Sequence, residues 1–333
     1  MPKKIEISHR TIVVAAVTVL LFWLVFKIWD LILLLFVSVI IMSALKPTVD
    51  LLERSRLPRS MAIVLVYVVI WIFLGLVFAG IIPPLVDQTR RLVNLIPSAL
   101  NNIRYLDIHQ QEITTQIISS IGSLPENVFR ITTGIFGNVL NVITTIVISF
   151  YLLLERKHLD QYLADFLGTK TSPRISGLIS EIEYKLGSWV RGELILMTVI
   201  GIATYLGLRL LGLETALPLA ILAGMLEVIP NIGPTVSAIP AVIIALLIHP
   251  LLALSTVALY ILIQSLENNF LVPQVMRKTT GVNPLVSILG LMVGFRLAGI
   301  AGAILAIPTI LVIQAIGLHF FSLSHLEEIS DTD

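Results

Sequence analysis

Six stretches of this chain are apolar over roughly the length a helix needs to cross the hydrocarbon layer of a bilayer, about 20 residues. They are 11–29, 31–45, 61–82, 135–154, 194–211 and 251–272. A water-soluble fold of 333 residues cannot bury so many. Hydrophobic residues make up 56% of the chain and charged residues 13%, against about 25% charged in soluble domains. An ordinary cytosolic enzyme, a nucleic-acid binder and a disordered chain are thereby excluded. Cysteine is absent, which removes disulfides, thiolate metal sites and a thiol nucleophile. The net charge of +1 names no partner. The expected fold class is all-α, a polytopic integral membrane protein.

The basic residues orient the spans. Lys3, Lys4 and Arg10 precede the first run, and Lys46, Arg54, Arg56 and Arg59 follow the second. The positive-inside rule puts both groups, and the N-terminus, in the cytoplasm. The run 11–29 reads as a retained span, because the second follows directly with no small-residue cleavage site. The chain then divides into three N-terminal spans (11–82), an external segment (83–133), a fourth span (134–154), a cytoplasmic segment (155–192) and a C-terminal core with broken segments (193–320), all in one domain. Both connecting segments read as amphipathic helices. Leu85, Leu92, Leu95, Ile96, Leu100 and Ile103 recur at helical spacing in the first, and Ile175, Leu178, Ile179, Ile182, Leu186, Trp189 and Val190 in the second.

The C-terminal half breaks the pattern. The apolar run 217–229 is only about 20 Å long at 1.5 Å per residue. It ends in Glu227-Val-Ile-Pro-Asn-Ile-Gly-Pro234, and a second short run, 235–248, follows. Backbone groups freed at such a break must be buried in protein or line a wet cavity. With Arg277 and Lys278 in the cytoplasm, 215–249 must enter and leave on one side, as a hairpin tipped at 230–234 rather than a kinked span. The run 284–318 stays open. Gly290, Gly294, Ala298, Gly302 and Ala306 form a stripe if the helix is continuous up to Pro308, while Gly299 marks a break if it is a second hairpin.

Glu227 is the sharpest polar residue. An acid inside an apolar run is costly and points to ion or proton coupling, or to capping of the freed amides. Gln264, Glu267 and Asn268 share a helical face that would look into the bundle. Arg209, His249 and Glu193 sit near span ends and read as interfacial. Arg296 reads as snorkelling or paired, and Trp23, Trp29, Trp71 and Trp189 as interface anchors or packing. No nucleophile elbow, zinc-protease helix or P-loop is present, so no enzyme is expected, nor any cofactor or metal beyond H⁺ or Na⁺ as coupling ion.

Several of these motifs resemble one family. Glu227-Val-Ile-Pro-Asn-Ile-Gly-Pro234 resembles the E-x-I-P-x-[IFL]-G-P signature of the autoinducer-2 exporter family. Gln264-Ser-Leu-Glu-Asn268 with Pro273 resembles its Q-x-x-E-N-x-x-x-x-P segment. Asn283-Pro284-Leu285 with Gly290, Gly294, Gly299, Gly302 and Pro308 resembles its C-terminal ending, with Asn283 in place of the common His and the glycine pair near 294 not doubled. The resemblance implies about eight membrane segments, a bacterial inner-membrane location, and a secondary transporter exporting a small polar solute or signal. A cation/proton antiporter is the alternative, and a non-transporting scaffold the third. Glu227, Pro230, Asn231, Gly233, Pro234, Gln264, Glu267 and Asn268 are the expected binding residues. Pro273, Pro284, Gly290, Gly294, Gly299, Gly302 and Pro308 are the expected packing and hinge positions. The expected partners are the lipid bilayer, a small-molecule or ion substrate and further copies of the chain, with no nucleic acid.

Overall fold

The computed structural model describes residues 9–76, 79, 83, 139–229, 233–276 and 282–330. Among them there is no strand. The helices are α1 (His9–Lys27), α2 (Trp29–Arg54), α3 (Arg59–Leu76), α4 (Val139–Glu155), α5 (Leu159–Leu167), α6 (Ser172–Leu210), α7 (Ala216–Leu226), α8 (Gly233–Ile248), α9 (Pro250–Leu266), α10 (Val272–Met276) and α11 (Pro284–Ser330). A π-helical turn, Glu267–Leu271, joins α9 to α10. Five helices among the described residues are long and apolar enough to cross a membrane: Trp29–Arg54, Arg59–Leu76, Ser172–Leu210, Pro250–Met276 and Leu285–His319. The protein is thus polytopic and helical. The segment 83–133, expected to be external, lies almost wholly outside the described residues, as do Arg277 and Lys278.

Two long helices differ from the sequence expectation. The second span does not stop at Leu45 but runs through Pro47 to Arg54. Proline at 47 cannot donate to the carbonyl of Ser43. That carbonyl faces Gly187, and a Cβ on Gly187 would collide with it. The glycine thus lets α6 come up against the weak point of α2. The segment 172–192 is not a separate cytoplasmic helix: it continues without a break into the apolar run, forming one helix of 39 residues. At about 58 Å it exceeds the hydrocarbon layer, so its first turns project beyond it.

Helix α6 is the axis of the bundle. At one end Leu186, Trp189 and Leu196 pack with Ile40 of α2, Met276, and Ile307 and Leu311 of α11. At the other end Leu208 packs with Leu213, Ala216, Leu219, Ala241, Ile244, Ala245, Ala253 and Tyr260. A third cluster joins α2, α3 and α4 through Val49, Ala62, Ile63 and Leu153. The basic end is tied by ions. Glu183, buried on α6, receives Lys46 Nζ at 2.6 Å and Arg156 Nε at 2.5 Å. Arg59 reaches Asp50 at 3.0 Å, Glu53 at 2.8 Å and the carbonyl of Leu153 at 2.7 Å. Lys157 also pairs with Glu53.

Both apolar runs of the C-terminal half are helical hairpins. In the first, residues at the start of α7 pack against residues at the end of α8, so the two arms are antiparallel. At the tip Gly233 lies flat on the carbonyl of Leu226, leaving no room for a Cβ. In the second, α11 turns back at Ala298 (φ −141°, ψ 24°) and Gly299 (φ 60°, ψ −141°). The latter is a conformation that glycine alone adopts readily. The small residues therefore do not form one stripe along a straight helix. They face each other across the fold, Gly294 against Gly302 and Gly290 against Ile310. Asn283 caps the entry, its Oδ1 accepting from the Leu285 amide at 2.9 Å. The first hairpin is rooted at the Leu208 end of α6 and the second at the Leu186 end, so they enter from opposite sides. Ile229, at the tip of the first, packs on Leu291, Ala303 and Ala306 of the second.

The fold-back is directly testable. A straight helix would hold positions 290 and 310 about 30 Å apart. The hairpin brings Ile310 Cδ1 within 2.5 Å of an ideal Cβ on Gly290. In this cysteine-free chain, the pair Gly290→Cys and Ile310→Cys is expected to form an intramolecular cross-link under mild oxidation, read as a mass loss and a protease-resistant link. No link would mean a continuous helix.

Candidate functional site

Three glutamates meet where the hairpin tip touches the axis. Glu227 follows the last turn of α7, its amide bonded to the Ala223 carbonyl at 3.1 Å. Glu267 opens the π turn. Glu193 lies midway along α6. They are 1%, 3% and 4% exposed. The carboxyls of Glu227 and Glu267 are close neighbours, and Glu193 lies within electrostatic range of both. One oxygen of each carboxyl (Oε1 of Glu193, Oε2 of Glu227 and Oε2 of Glu267) is buried without a hydrogen-bond partner. None of the three pairs with a Lys, Arg or His among the described residues. Buried acids normally carry such a partner, because an uncompensated buried charge costs several kcal/mol.

Local packing sets this convergence. Gly224 lies against the backbone of α6: an ideal Cβ there would be 2.7 Å from the Met197 carbonyl and 3.3 Å from Gly201 Cα. That contact lies one turn from both Glu227 and Glu193, so backbone-to-backbone approach brings the two acids into one layer. On the other side Gly192 accepts Met276, whose Sδ would be 2.9 Å from a Cβ. This seats the π turn and α10 against the same stretch of α6.

The structure sorts the expected residues. Glu227 and Glu267 are brought together. Gly233 and Pro234 are buried in the tip, with the Pro234 carbonyl accepting from Ser237 Oγ at 2.9 Å. Pro230 and Asn231 lie outside the described residues. Gln264 is half-buried, whereas Asn268 is exposed. A regular helix would keep 264, 267 and 268 near one face; here the helix passes into a π turn at Glu267, and Asn268 is exposed. Glu193 is not interfacial as expected. It borders the charged segment 155–192, but the hairpin tip and the π turn cover it. Arg209, His249 and Arg296 are exposed, Trp189 is buried, and Pro308 is buried in the second arm of α11. No three acid or histidine side chains among the described residues are arranged to hold a metal ion.

Residues 12–321 match the AI-2E family transporter profile. The chain belongs to this family. It is 29% identical over 305 residues to YueF of Bacillus subtilis, a protein named as a candidate transport protein, covering 85% of this chain and 82% of YueF. YrrI of the same organism, named likewise, is 26% identical over 314 residues, with 90% and 88% covered. YhhT of Escherichia coli, again so named, is 26% identical over 291 residues, with 84% and 82% covered. The protein is a multi-pass membrane transporter.

The Gly224 contact carries a stability prediction. Gly224→Val should drive the first hairpin off α6 and cost about 1–3 kcal/mol of overpacking. Thermal unfolding in detergent should show a lower midpoint than wild type. An unchanged midpoint would mean that the two backbones are not in contact.

Proposed function

We propose that this transporter is an ion-coupled secondary carrier whose coupling site is Glu227 and Glu267, with Glu193 as the third acid. The meeting of buried carboxyls with no cationic partner among the described residues carries the reading. Adjacent buried carboxyls without a cation resist being ionised together, so a closed site of this kind would hold a proton. Moving the hairpin tip away from the π turn separates the pair, and each carboxyl then needs water, a proton or a cation. Hairpins that enter from opposite ends, the tip of one resting on the flank of the other, are the kind of discontinuous helix that transporters use for alternating access. Within this reading the cargo is a small polar solute, of the signal-molecule type that the family name suggests, and the direction is export from the bacterial cytoplasm.

A second reading rests on the same observation. The three groups that meet are all carboxyls, so cation/proton antiport needs no organic cargo. Sodium would require the acids to draw closer around it than they do here.

Flux in sealed proteoliposomes separates the two. Under an imposed proton gradient, wild-type protein should move a labelled furanosyl signal molecule together with protons. Glu227→Gln and Glu267→Gln should each reduce this flux at least about tenfold, a change of about 1.4 kcal/mol or more. Glu193→Gln should reduce it less. Sodium-driven pH change without solute movement would select the antiporter. Unchanged flux in Glu227→Gln at every pH would refute the coupling site.

A further inference from the structure

The basic end of the bundle holds a cavity that the transport reading does not use. It has a volume of about 370 Å³ and lies between the last turns of α2 and the first half of α6. Its charged lining is Lys46, Arg54 and Arg191 against Asp50 and Glu183. Both acids are already compensated from outside the cavity, Asp50 by Arg59 at 3.0 Å and Glu183 by Arg156 at 2.5 Å. The cations are therefore in excess.

Two of them lack an acidic partner. Arg191 is half-buried and donates only to neutral groups, the Ala44 carbonyl at 3.3 Å and Ser188 Oγ at 3.0 Å. Arg54 is exposed, and its guanidinium has no hydrogen-bond or ion-pair partner among the described residues. A planar guanidinium offers a fork of N–H donors that matches a phosphate in two-point fashion. Two such forks, one from each helix, line the same cavity, while Lys46 beside them is held by Glu183 at 2.6 Å.

The location selects the source of the anion. The cavity sits where α2 leaves the apolar layer, on the side that the positive-inside rule assigns to the cytoplasm. Basic pockets between membrane helices on that side receive the headgroups of anionic lipids. Leu51, 66% exposed, continues the cavity rim onto the outer surface of α2, where an acyl chain would lie.

We propose that this cavity binds a phosphate group, that of an anionic phospholipid headgroup by its position, through Arg54 and Arg191. The lipid would bridge α2 and α6 beside the Pro47–Gly187 contact. This inference does not depend on the coupling site.

Native mass spectrometry of the full chain, with phosphatidylglycerol or phosphatidylcholine added, tests it, alongside calorimetric titration with glycerol 3-phosphate. Wild-type protein is expected to retain phosphatidylglycerol over phosphatidylcholine. Arg54→Gln with Arg191→Gln should weaken that retention at least about tenfold, the scale of losing charge-assisted hydrogen bonds. Binding of glycerol 3-phosphate that the variant loses, without lipid preference, would keep the phosphate site and assign it a soluble ester. Equal retention of both lipids by wild type and variant, with no titration heat, would overturn the proposal. If the double variant does not fold, Arg54→Gln alone provides the readout, because that side chain is exposed and makes no internal bond.

Discussion

Inside an apolar layer every backbone amide and carbonyl must find its partner within the protein, and this demand organises the whole molecule. Most of the chain meets it with unbroken helices. Their hydroxyls are absorbed by the preceding turn, as Ser38 Oγ donates to Leu34 O at 2.8 Å and Thr256 Oγ1 to Leu252 O at 2.8 Å. Where a helix does break, the broken end is pressed against another backbone. The tip at Gly233 rests on Leu226, and the freed carbonyl of Ser43 rests on Gly187. At these two places glycine makes room for the freed groups, and the glutamate site stands beside one of them.

Sequence periodicity revealed those parts of the architecture that depend on local chemistry. The break after Glu227 follows from two prolines and a glycine in one short run, and burial of Glu227 follows from the apolar residues before it. The fold-back of α11 was legible only as an alternative. The same spacing of small residues fits a straight stripe or two facing arms, and the decision rests on one left-handed residue, Gly299. Glu193 was misread because its neighbours in the chain are charged while its neighbours in space are a hairpin tip and a π turn, both far away in sequence. Asn268 was misplaced for a related reason. A helical wheel assumes a constant turn, and the π turn at Glu267 changes it.

Helix α6 shows how one element serves several partners. Its glycines are poor helix formers, yet four of them mark a neighbour: Gly187 meets α2, Gly192 meets α10, Gly201 meets α7 and Gly207 meets Leu259 of α9. The local cost in helix propensity is offset by close approach. In the sequence an amphipathic pattern gives way to an apolar run near residue 192, a change of pattern that the helix crosses unbroken.

The facing glycines of the second hairpin have a mechanical corollary. With Gly294 and Gly302 in backbone contact and Ile310 filling the space over Gly290, no layer of pliant side chains separates the two arms. Neither arm can roll or shear against its mate without backbone collision. The two arms thus form a single stiff blade, and the surface on which Ile229 bears is part of that blade.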